Sequence, residues 1–531
     1  MNKFLQALAS VKNTMIAVTG GISGTFAFAP YNYSFCILIT VFTLNYFWFQ
    51  NKNHTRYTFL TLVSLIYPTV FWLHTSMTEY SDVPMAVAAF AILLLSAYLS
   101  LYHTVLVYLA NKIFRGQIFI KNILVIPSFW IIADYLVGNM FTGFPWVYIG
   151  YSQTDTFLAS LAPIGGVYLI TLVIMLSAAL FCYTIASRKL ITLAASIFVL
   201  IFPLFIKDLE FTRPLKDINV AIVQGNIAQE IKWDPSKSEE IFTTFFDESK
   251  PYFFGQKKID LLVWPESAIP ELENYVVALL SALDEKARAH KFSFVTGVQT
   301  YDTATQNYYN AVIGLGMKDP EGNLIYTPYT GNRYYKRHLV PIGEKVPFEE
   351  LLRKYGSFFN MPMSSFANGS DVQKNIVSGG LNIATAICYE IAYPNEMLTN
   401  MNEDTSLILT VSNDGWFGTP PRKGSTEYWL SRGPLQHANI ARMRTLEFQK
   451  PVIRATNTGL SAIYSKDGTE LLSLPFYQIA TEEARVTPYK GLTPFNEYGL
   501  LIIFSIVSIM LSVSFIYLLM SIMSKDLAAK R

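Results

Sequence analysis

Charged residues are scarce in this sequence. Asp, Glu, Lys and Arg account for 15% of its 531 residues, whereas hydrophobic residues account for 51%. Because an average soluble protein carries about 25% charged residues, this composition predicts a membrane protein, and the length predicts more than one domain. The formal net charge is only +2 and no basic run stands out, so a nucleic acid is not an expected partner.

Cysteine and histidine are also rare. The three cysteines are Cys36, Cys182 and Cys388, and the first two lie inside apolar runs, so they cannot form a disulfide framework. The six histidines show no His-x-x-x-His spacing, and there is no Cys-x-x-Cys pair. The sequence therefore predicts neither a bound metal ion nor another cofactor.

Long apolar runs are abundant, in contrast. A membrane-spanning helix needs about 20 apolar residues. The candidate spans lie at 13–29, 32–49, 57–75, 84–110, 118–138, 164–186, 190–206 and 498–522. We therefore predict about eight spans and three regions: a membrane domain with spans one to seven at 1–211, an extracytoplasmic domain at 212–495, and the last span with a tail at 496–531.

Basic residues mark alternate loops between these spans. Lys or Arg occurs before span one and after spans two, four, six and eight, whereas the other loops within the membrane domain, such as "TSMTEYSDVP", contain none. Because basic loops stay in the cytoplasm, both chain termini are predicted to be cytoplasmic. Residues 212–495 then lie on the opposite side of the membrane.

Residues 212–495 differ from the spans in composition and pattern. Short apolar stretches typical of buried strands alternate there with amphipathic stretches typical of helices. The predicted strands are 218–226, 260–267, 292–299, 309–316, 381–388, 406–414 and 450–457, and the clearest helices are 274–291 and 433–449. This alternation predicts an α/β domain, and about 280 residues are enough for it to bury its own core.

Residues suited to acyl transfer occur at or near the ends of such strands. Glu266 follows an apolar strand in "LVWPESAIP", Lys336 lies in "YYKRHLVPIGEKVPF", and Cys388 ends the strand of "ATAICYE". A carboxylate can take the proton of a thiol and later return it to a leaving group. A nearby ammonium lowers the pKa of the thiol and stabilises an oxyanion. The three residues together predict nucleophilic acyl chemistry.

The segments "WPES", "YYKRHLVPIGE" and "ICYE" resemble the Glu–Lys–Cys motifs of the nitrilase, or carbon–nitrogen hydrolase, superfamily. The resemblance is strongest to its membrane-embedded branch, the apolipoprotein N-acyltransferase family, and covers nearly the whole chain. The further stretches that resemble this family are "TGFPWVYIGYSQ", "VQGNIAQEIKW", "SNDGWFG" and "QHANIARMRTLE". The resemblance implies an α-β-β-α sandwich for the extracytoplasmic domain.

The resemblance also implies roles for individual residues. Glu266 would be the general base, Lys336 the stabiliser of the oxyanion, and Cys388 the nucleophile. Residues that would support or shape the site are Trp233, Glu344, Tyr389 and Glu390, with Trp146 a further candidate in the membrane domain. His338 and His437 are expected to make structural hydrogen bonds rather than act as bases.

The function implied by the resemblance is an acyl transfer in two steps. Cys388 would take an acyl chain from a membrane phospholipid as a thioester and pass it to the α-amino group of the N-terminal diacylglyceryl-cysteine of an apolipoprotein, the final step of lipoprotein maturation. The protein would be a monomer of the bacterial inner membrane, with its catalytic domain in the periplasm.

Two alternatives remain from the sequence alone. A membrane-tethered amidase or nitrilase could use the same three residues to hydrolyse a small substrate. A transporter or receptor could use the soluble-type domain only for binding, but the spans contain few ionisable residues, chiefly Asp134, where transporters need charged relays.

Overall fold

The computed structural model describes residues 2–50, 54–316, 326–328, 330–341, 343–345, 366–418 and 432–529. Lys52, one of the basic residues that follow the second predicted span, lies outside them. The chain divides into two units. The first comprises Met1–His74, Val83–Leu209 and Glu497–Arg531, and the second comprises Thr75–Asp82 and Glu210–Asn496.

The first unit is built from helices, as its apolar runs predict. The α-helices outside the second unit's main segment are α1 (Asn2–Thr25), α2 (Cys36–Gln50), α3 (His54–Val70), α4 (His74–Thr78), α5 (Met85–Ile113), α6 (Ile118–Ile120), α7 (Ile126–Asn139), α8 (Ala162–Ser187), α9 (Leu190–Ile201) and, near the C-terminus, α15 (Leu501–Ala529). Each of the eight predicted spans overlaps a helix of this set.

Five helical segments of the described chain are long and apolar enough to cross a membrane. They are His54–Thr78, Met85–Ile113, Ile118–Asn139, Phe157–Ser187 and Leu501–Ala528. Two shorter apolar helices, Cys36–Gln50 and Leu190–Phe205, fall below that length. These helices agree with a membrane protein, as the composition predicts.

The acidic residue Asp134 is paired inside the first unit. Its Oδ1 lies 2.8 Å from Nε2 of His103 on α5, and its backbone carbonyl accepts a hydrogen bond of 2.7 Å from the Tyr148 hydroxyl. Both members of the pair are buried, so it joins α5 to α7. Asp134 therefore has a partner on a neighbouring helix, as a buried acidic residue within an apolar run requires.

The second unit contains the strands of the described chain. They are β1 (Arg213–Pro214), β2 (Ile218–Gln224), β3 (Leu261–Val263), β4 (Ile269–Leu272), β5 (Ser293–Asp302), β6 (Asn307–Leu315), β7 (Tyr326–Thr327), β8 (Thr330–Gly331), β9 (Arg333–Tyr335), β10 (Ile376–Ser378), β11 (Leu381–Ile387), β12 (Thr405–Ser412), β13 (Val452–Thr456), β14 (Ala462–Tyr464), β15 (Glu470–Ser473), β16 (Ala480–Val486) and β17 (Tyr489–Lys490). Its helices are α10 (Ser238–Phe253), α11 (Val277–Ala289), α12 (Pro394–Asn400), α13 (Arg432–Phe448) and α14 (Pro494–Tyr498).

Most of these strands form two mixed sheets. One sheet has the order β10-β11-β12-β13-β14-β15, and the other has the order β16-β2-β3-β5-β6-β9 with β4 paired to β5. The central pairs β11–β12, β12–β13, β2–β3 and β3–β5 are parallel, and the outer pairs along each path are antiparallel. The central strands are apolar on both faces because both faces are covered.

The two sheets form the inner layers of a four-layer domain. They contact each other through β2 and β13 and through β6 and β10, while α10 and α11 pack on one sheet and α12 and α13 on the other. A core that includes Phe245, Trp264, Leu280 and Phe294 lies between α10 and α11 and the sheet that contains β2, β3 and β5. The prediction of an α-β-β-α sandwich is confirmed.

Every strand and helix predicted between residues 218 and 457 is present, with shifted ends. The largest shift concerns the strand predicted at 260–267, which ends at Val263. Pro265 has no N–H to continue a ladder, so the chain leaves the sheet just before Glu266. This early exit frees Glu266 from the sheet.

Candidate active site

Glu266 lies in a buried turn beyond the end of β3. Its Oε1 accepts a hydrogen bond of 2.7 Å from Nδ2 of Asn310 on β6. The turn approaches β5 so closely that a Cβ at Gly297 would lie 2.4 Å from the amide nitrogen of Ser267. Glycine at position 297 therefore allows the turn to sit against the sheet and fixes the position of Glu266.

Lys336 follows β9 directly and is only 1% exposed. Its Nζ lies 2.7 Å from Oε1 of Glu344 and 3.5 Å from Oε1 of Glu266. Burial favours the neutral amine, but the charges of Glu344 and Glu266 raise the pKa of Lys336 above its ordinary value. The side chain is therefore a fixed ammonium next to the carboxylate of Glu266, as an oxyanion stabiliser requires.

Cys388 begins a short 3₁₀ helix, Cys388–Ala392, immediately after β11. Its φ of 54° lies in the left-handed region that non-glycine residues avoid. Such a backbone conformation is costly and persists where surrounding contacts impose it, often at a functional turn between a strand and a helix. Cys388 is accordingly the first residue after β11, at the turn where the chain leaves the sheet.

The resting thiol of Cys388 is neutral. Burial, together with the charge of Glu266, raises the pKa of Cys388 to about 12, and Lys336 only partly opposes this. The charges of Glu266 and Lys336, whose side chains lie 3.5 Å apart, both act on the Cys388 thiol. A neutral thiol needs a base at the moment of attack, and Glu266 is the carboxylate placed to act as one.

The reactivity of Cys388 toward iodoacetamide should rise from about pH 7 to about pH 10 without reaching a plateau. The thiolate is the reacting form, and a pKa near 12 keeps its fraction small throughout this range. A variant with Cys36→Ala and Cys182→Ala would leave one thiol to follow by mass spectrometry. A plateau below about pH 9 would show that the thiol is already ionised in the resting protein.

Glu390 joins the loop of Lys336 to the turn of Cys388. Its Oε1 accepts hydrogen bonds from the backbone N–H groups of Arg337 and His338, at 2.7 and 3.1 Å, and its Oε2 accepts one of 2.6 Å from Ile387. Burial, and then the charge of Glu396, raises the pKa of Glu390 to about 7 against these hydrogen bonds. Glu390 thus holds the residues next to Lys336 and Cys388 in register.

Glu390→Gln should lower the midpoint of thermal unfolding. Whichever way the new amide faces, its NH₂ group meets a backbone N–H, and one buried donor left unsatisfied costs about 1–3 kcal/mol. Glu483→Gln is a matched control, because that carboxylate is partly exposed and accepts from the side chains of Tyr252 and Lys257. Equal shifts in the two variants would argue against a special role for Glu390.

A buried polar network lies behind Cys388. Nε2 of His437 is 3.0 Å from the carbonyl oxygen of Cys388, and Nδ1 is 3.2 Å from Asp414, which pairs with Arg454. Burial and the charge of Arg454 lower the pKa of His437, so neutral His437 donates through Nε2 to Cys388. The segments "SNDGWFG" and "QHANIARMRTLE" thus supply Asp414 and His437, and His437 has the structural role that was predicted.

Two polar residues that sequence reasoning missed complete the site. The side-chain amide of Asn310 donates to Glu266, and the backbone carbonyl oxygen of Asn310 accepts a hydrogen bond of 2.8 Å from the backbone N–H of Lys336. Lys232 is buried, and its Nζ donates a hydrogen bond of 3.0 Å to the carbonyl oxygen of Glu266. Asn310 lies within an apolar strand pattern, and Lys232 adjoins a more conspicuous tryptophan, so neither gave a separate signal.

The remaining predicted residues have different surroundings. Tyr389 is buried next to Cys388, with its ring against Tyr393 and His338. The ring of Trp233 lies 5.8 Å from Nζ of Lys232, and its Nε1 has no hydrogen-bond partner among the described residues.

Trp146 belongs to the first unit, where it packs against Trp72 and Phe144. Its surroundings there are those of a buried packing residue, since only 2% of it is exposed. A role in substrate binding remains a prediction for this tryptophan.

The described residues contain no cluster of three or more His, Cys, Asp or Glu side chains arranged to hold a metal ion. The polar groups of the site instead contact one another. Carboxylates pair with ammonium groups, and side chains form hydrogen bonds with each other and with backbone N–H and carbonyl groups. This arrangement can move a proton and stabilise negative charge, which are the two requirements of acyl transfer through a thiol.

Comparisons with known proteins cover nearly the whole chain. The family model of the apolipoprotein N-acyltransferase N-terminal domain matches residues 20–180, and the carbon–nitrogen hydrolase model matches residues 219–481. Among solved structures, a carbon–nitrogen hydrolase from Helicobacter pylori G27 aligns with 51% of this chain and 89% of its own, with 13% identity and a TM-score of 0.36.

Curated relatives match over both units. The apolipoprotein N-acyltransferase of Vibrio parahaemolyticus is 36% identical over 495 residues, which cover 92% of this chain and 94% of the relative. That of Haemophilus influenzae is 34% identical over 511 residues, which cover 94% of this chain and 92% of the relative. With about a third of the residues identical over almost the full length of both partners, this chain belongs to the apolipoprotein N-acyltransferase family.

Proposed function

We propose that this N-acyltransferase moves an acyl chain from a membrane phospholipid, through a thioester on Cys388, to the α-amino group of the N-terminal diacylglyceryl-cysteine of an apolipoprotein. This would be the final step of lipoprotein maturation. The observation that carries the proposal is the buried group of Glu266, Lys336 and Cys388 in a chain whose other unit consists of apolar helices. The names of the relatives support an apolipoprotein as the acceptor.

The first half-reaction would form the thioester. Glu266 takes the proton of the Cys388 thiol while Sγ attacks the carbonyl carbon of the phospholipid ester, and Lys336 stabilises the oxyanion. The C–O bond of the ester then breaks, and protonated Glu266 gives its proton to the departing oxygen, which leaves as a lysophospholipid. The acyl chain remains on Sγ, and Glu266 is again a carboxylate.

The second half-reaction would use the same groups. The α-amino group of the acceptor attacks the thioester carbonyl, and Glu266 accepts one of its protons. The C–S bond breaks as the amide forms, and the proton passes from Glu266 to the departing sulfur. The cycle therefore returns a neutral thiol, which is the resting form that burial of Cys388 favours.

We also propose the finer membrane arrangement predicted from the sequence. The chain would cross the bacterial inner membrane eight times as a monomer, with both termini in the cytoplasm and the catalytic domain in the periplasm. The alternation of basic and non-basic loops supports this arrangement. Cysteine substituted at Ser81, which is partly exposed, should react with an impermeant maleimide in intact cells, and labelling only after the inner face is opened would overturn the orientation.

The function is tested directly with purified protein, phospholipid and a synthetic diacylglyceryl peptide. We expect the peptide mass to increase by one acyl chain with phospholipid present, and not in its absence. An unmodified peptide together with hydrolysed small amides would instead support the membrane-tethered amidase. A Cys388→Ala preparation serves as the control for transfer by contaminating enzymes.

A further inference from the structure

Lys232 is a buried cation that the proposed reaction leaves without a role. It is 2% exposed, and an ammonium is rarely buried without a partner because its desolvation is costly. Its Nζ donates to the carbonyl oxygen of Glu266 at 3.0 Å, the one hydrogen bond of this group within the described part of the chain.

The charges around Lys232 place it in the active site. The groups whose charges act on it are Glu266 and Cys388, and both favour its protonated form. Among Glu266, Glu344, Lys336 and Lys232, two carboxylates face two ammonium groups, whereas without Lys232 the carboxylates are in excess by one. That excess would oppose the loss of a proton from Cys388.

The turn that carries Lys232 is held in place from two sides. The N–H of Lys232 donates to the carbonyl oxygen of Ala228 at 3.1 Å, and Oε1 of Gln229 accepts from Asn413, the residue before Asp414, at 2.7 Å. The turn that carries Lys232 is therefore anchored to the segment that contains Asn413 and Asp414.

We propose that Lys232 is a second cationic group of the active site, which holds the turn of Glu266 in place and offsets the negative charge that Cys388 gains when its proton leaves. This inference deepens the proposed acyl transfer and rests on it. Lys232 acts through Glu266 and Cys388, so it is a positioning and electrostatic residue. Lys336 remains the ammonium that contacts the oxyanion.

The protonation of Lys232 gives the proposal a pH signature. Burial lowers the pKa of Lys232 to about 8, although Glu266 and Cys388 oppose this. Its charge is therefore present below about pH 8 and is lost above it. The help that it gives to ionisation of Cys388 should disappear over the same range.

The test measures the alkylation rate of Cys388 by iodoacetamide in the variant that lacks Cys36 and Cys182. Lys232→Met should slow alkylation about tenfold at pH 7, the effect of a thiol pKa raised by one unit. The two rates should converge above about pH 9, where the wild-type residue is neutral. Lys232→Arg keeps its charge at every pH and should react faster than wild type above about pH 9.

Lys450 provides a matched control. It is equally buried, its pKa is also lowered to about 8 by burial, and its Nζ donates to the carbonyl oxygens of Tyr489 and Gly491. Lys450→Met should leave the alkylation rate of Cys388 within twofold of wild type at all pH values. If the Lys232→Met variant does not fold, the comparison of Lys232→Arg with wild type at high pH decides the question by itself.

Two results would overturn the proposal. One is an alkylation rate in Lys232→Met equal to that of wild type at pH 7. The other is an equal slowing at every pH, which would indicate a purely structural loss. Alkylation requires no lipid, so these results are independent of the proposed donor, which fails only if wild-type protein forms no acyl adduct with phospholipid.

Discussion

Glu266→Gln, Lys336→Met and Cys388→Ala should each reduce acyl transfer about a thousandfold or more. Members of one catalytic unit are strongly non-additive, so removing any one of them removes most of the rate enhancement. Each substitution keeps the approximate shape of its side chain and removes one chemical capacity: the base, the cation or the nucleophile. The measurement is the initial rate of acyl transfer to the diacylglyceryl peptide.

Cys36→Ala and Cys182→Ala are the matched controls for the nucleophile. Both cysteines lie in helices of the first unit, on α2 and α8, and we expect both variants to keep near-normal activity. A Cys388→Ala variant with a tenth of the wild-type rate would remove Cys388 from the mechanism. The same threshold applies to Glu266 and Lys336.

Glu266→Gln and Lys336→Met should differ in their effect on the resting thiol of Cys388. The charge of Glu266 raises the pKa of Cys388 and that of Lys336 lowers it. Lys336→Met should therefore make the thiol harder to ionise, whereas Glu266→Gln should make it easier, although both abolish transfer. Such opposite shifts would separate the electrostatic roles of the two residues from their shared requirement in catalysis.

The positions of Glu266 and Cys388 were predictable because each follows a strand with a clear sequence pattern, whereas Lys336 follows the short strand β9, which was not predicted, and was found through its motif. Apolar runs fixed β3 and β11, and Pro265 marked the point where the chain leaves the sheet before Glu266. Strand ends that meet at one edge bring distant segments together. The sequence could therefore indicate the catalytic group before any distance was known.

The supporting contacts were less predictable, because they depend on which side chains face each other across the fold. Glu390 was a candidate by resemblance, but two of its three backbone donors, Arg337 and His338, lie 53 and 52 residues earlier in the sequence. The third, Ile387, belongs to its own turn. Asn310 and Lys232 were missed, since one polar residue in a strand or turn carries no periodic signal. Their roles follow only from the position of Glu266.

The fate of the acyl-enzyme distinguishes a transferase from a hydrolase with the same catalytic group. With phospholipid and no acceptor, wild-type protein should gain the mass of one fatty acyl group, and Cys388→Ala should not. Neutral hydroxylamine should remove the adduct, because it cleaves a thioester. Absence of any adduct would argue against a phospholipid donor.

Addition of the diacylglyceryl peptide should then discharge the acyl-enzyme much faster than water does. An amine attacks a thioester more readily than water does, and Glu266 is placed to accept the proton that the amine loses. Burial of Cys388, which is 4% exposed, also limits the access of water to the thioester. The mass of the protein, followed over time with and without peptide, gives both rates. Equal rates would mean that the same residues serve a hydrolase, because water would then compete on equal terms with the amine.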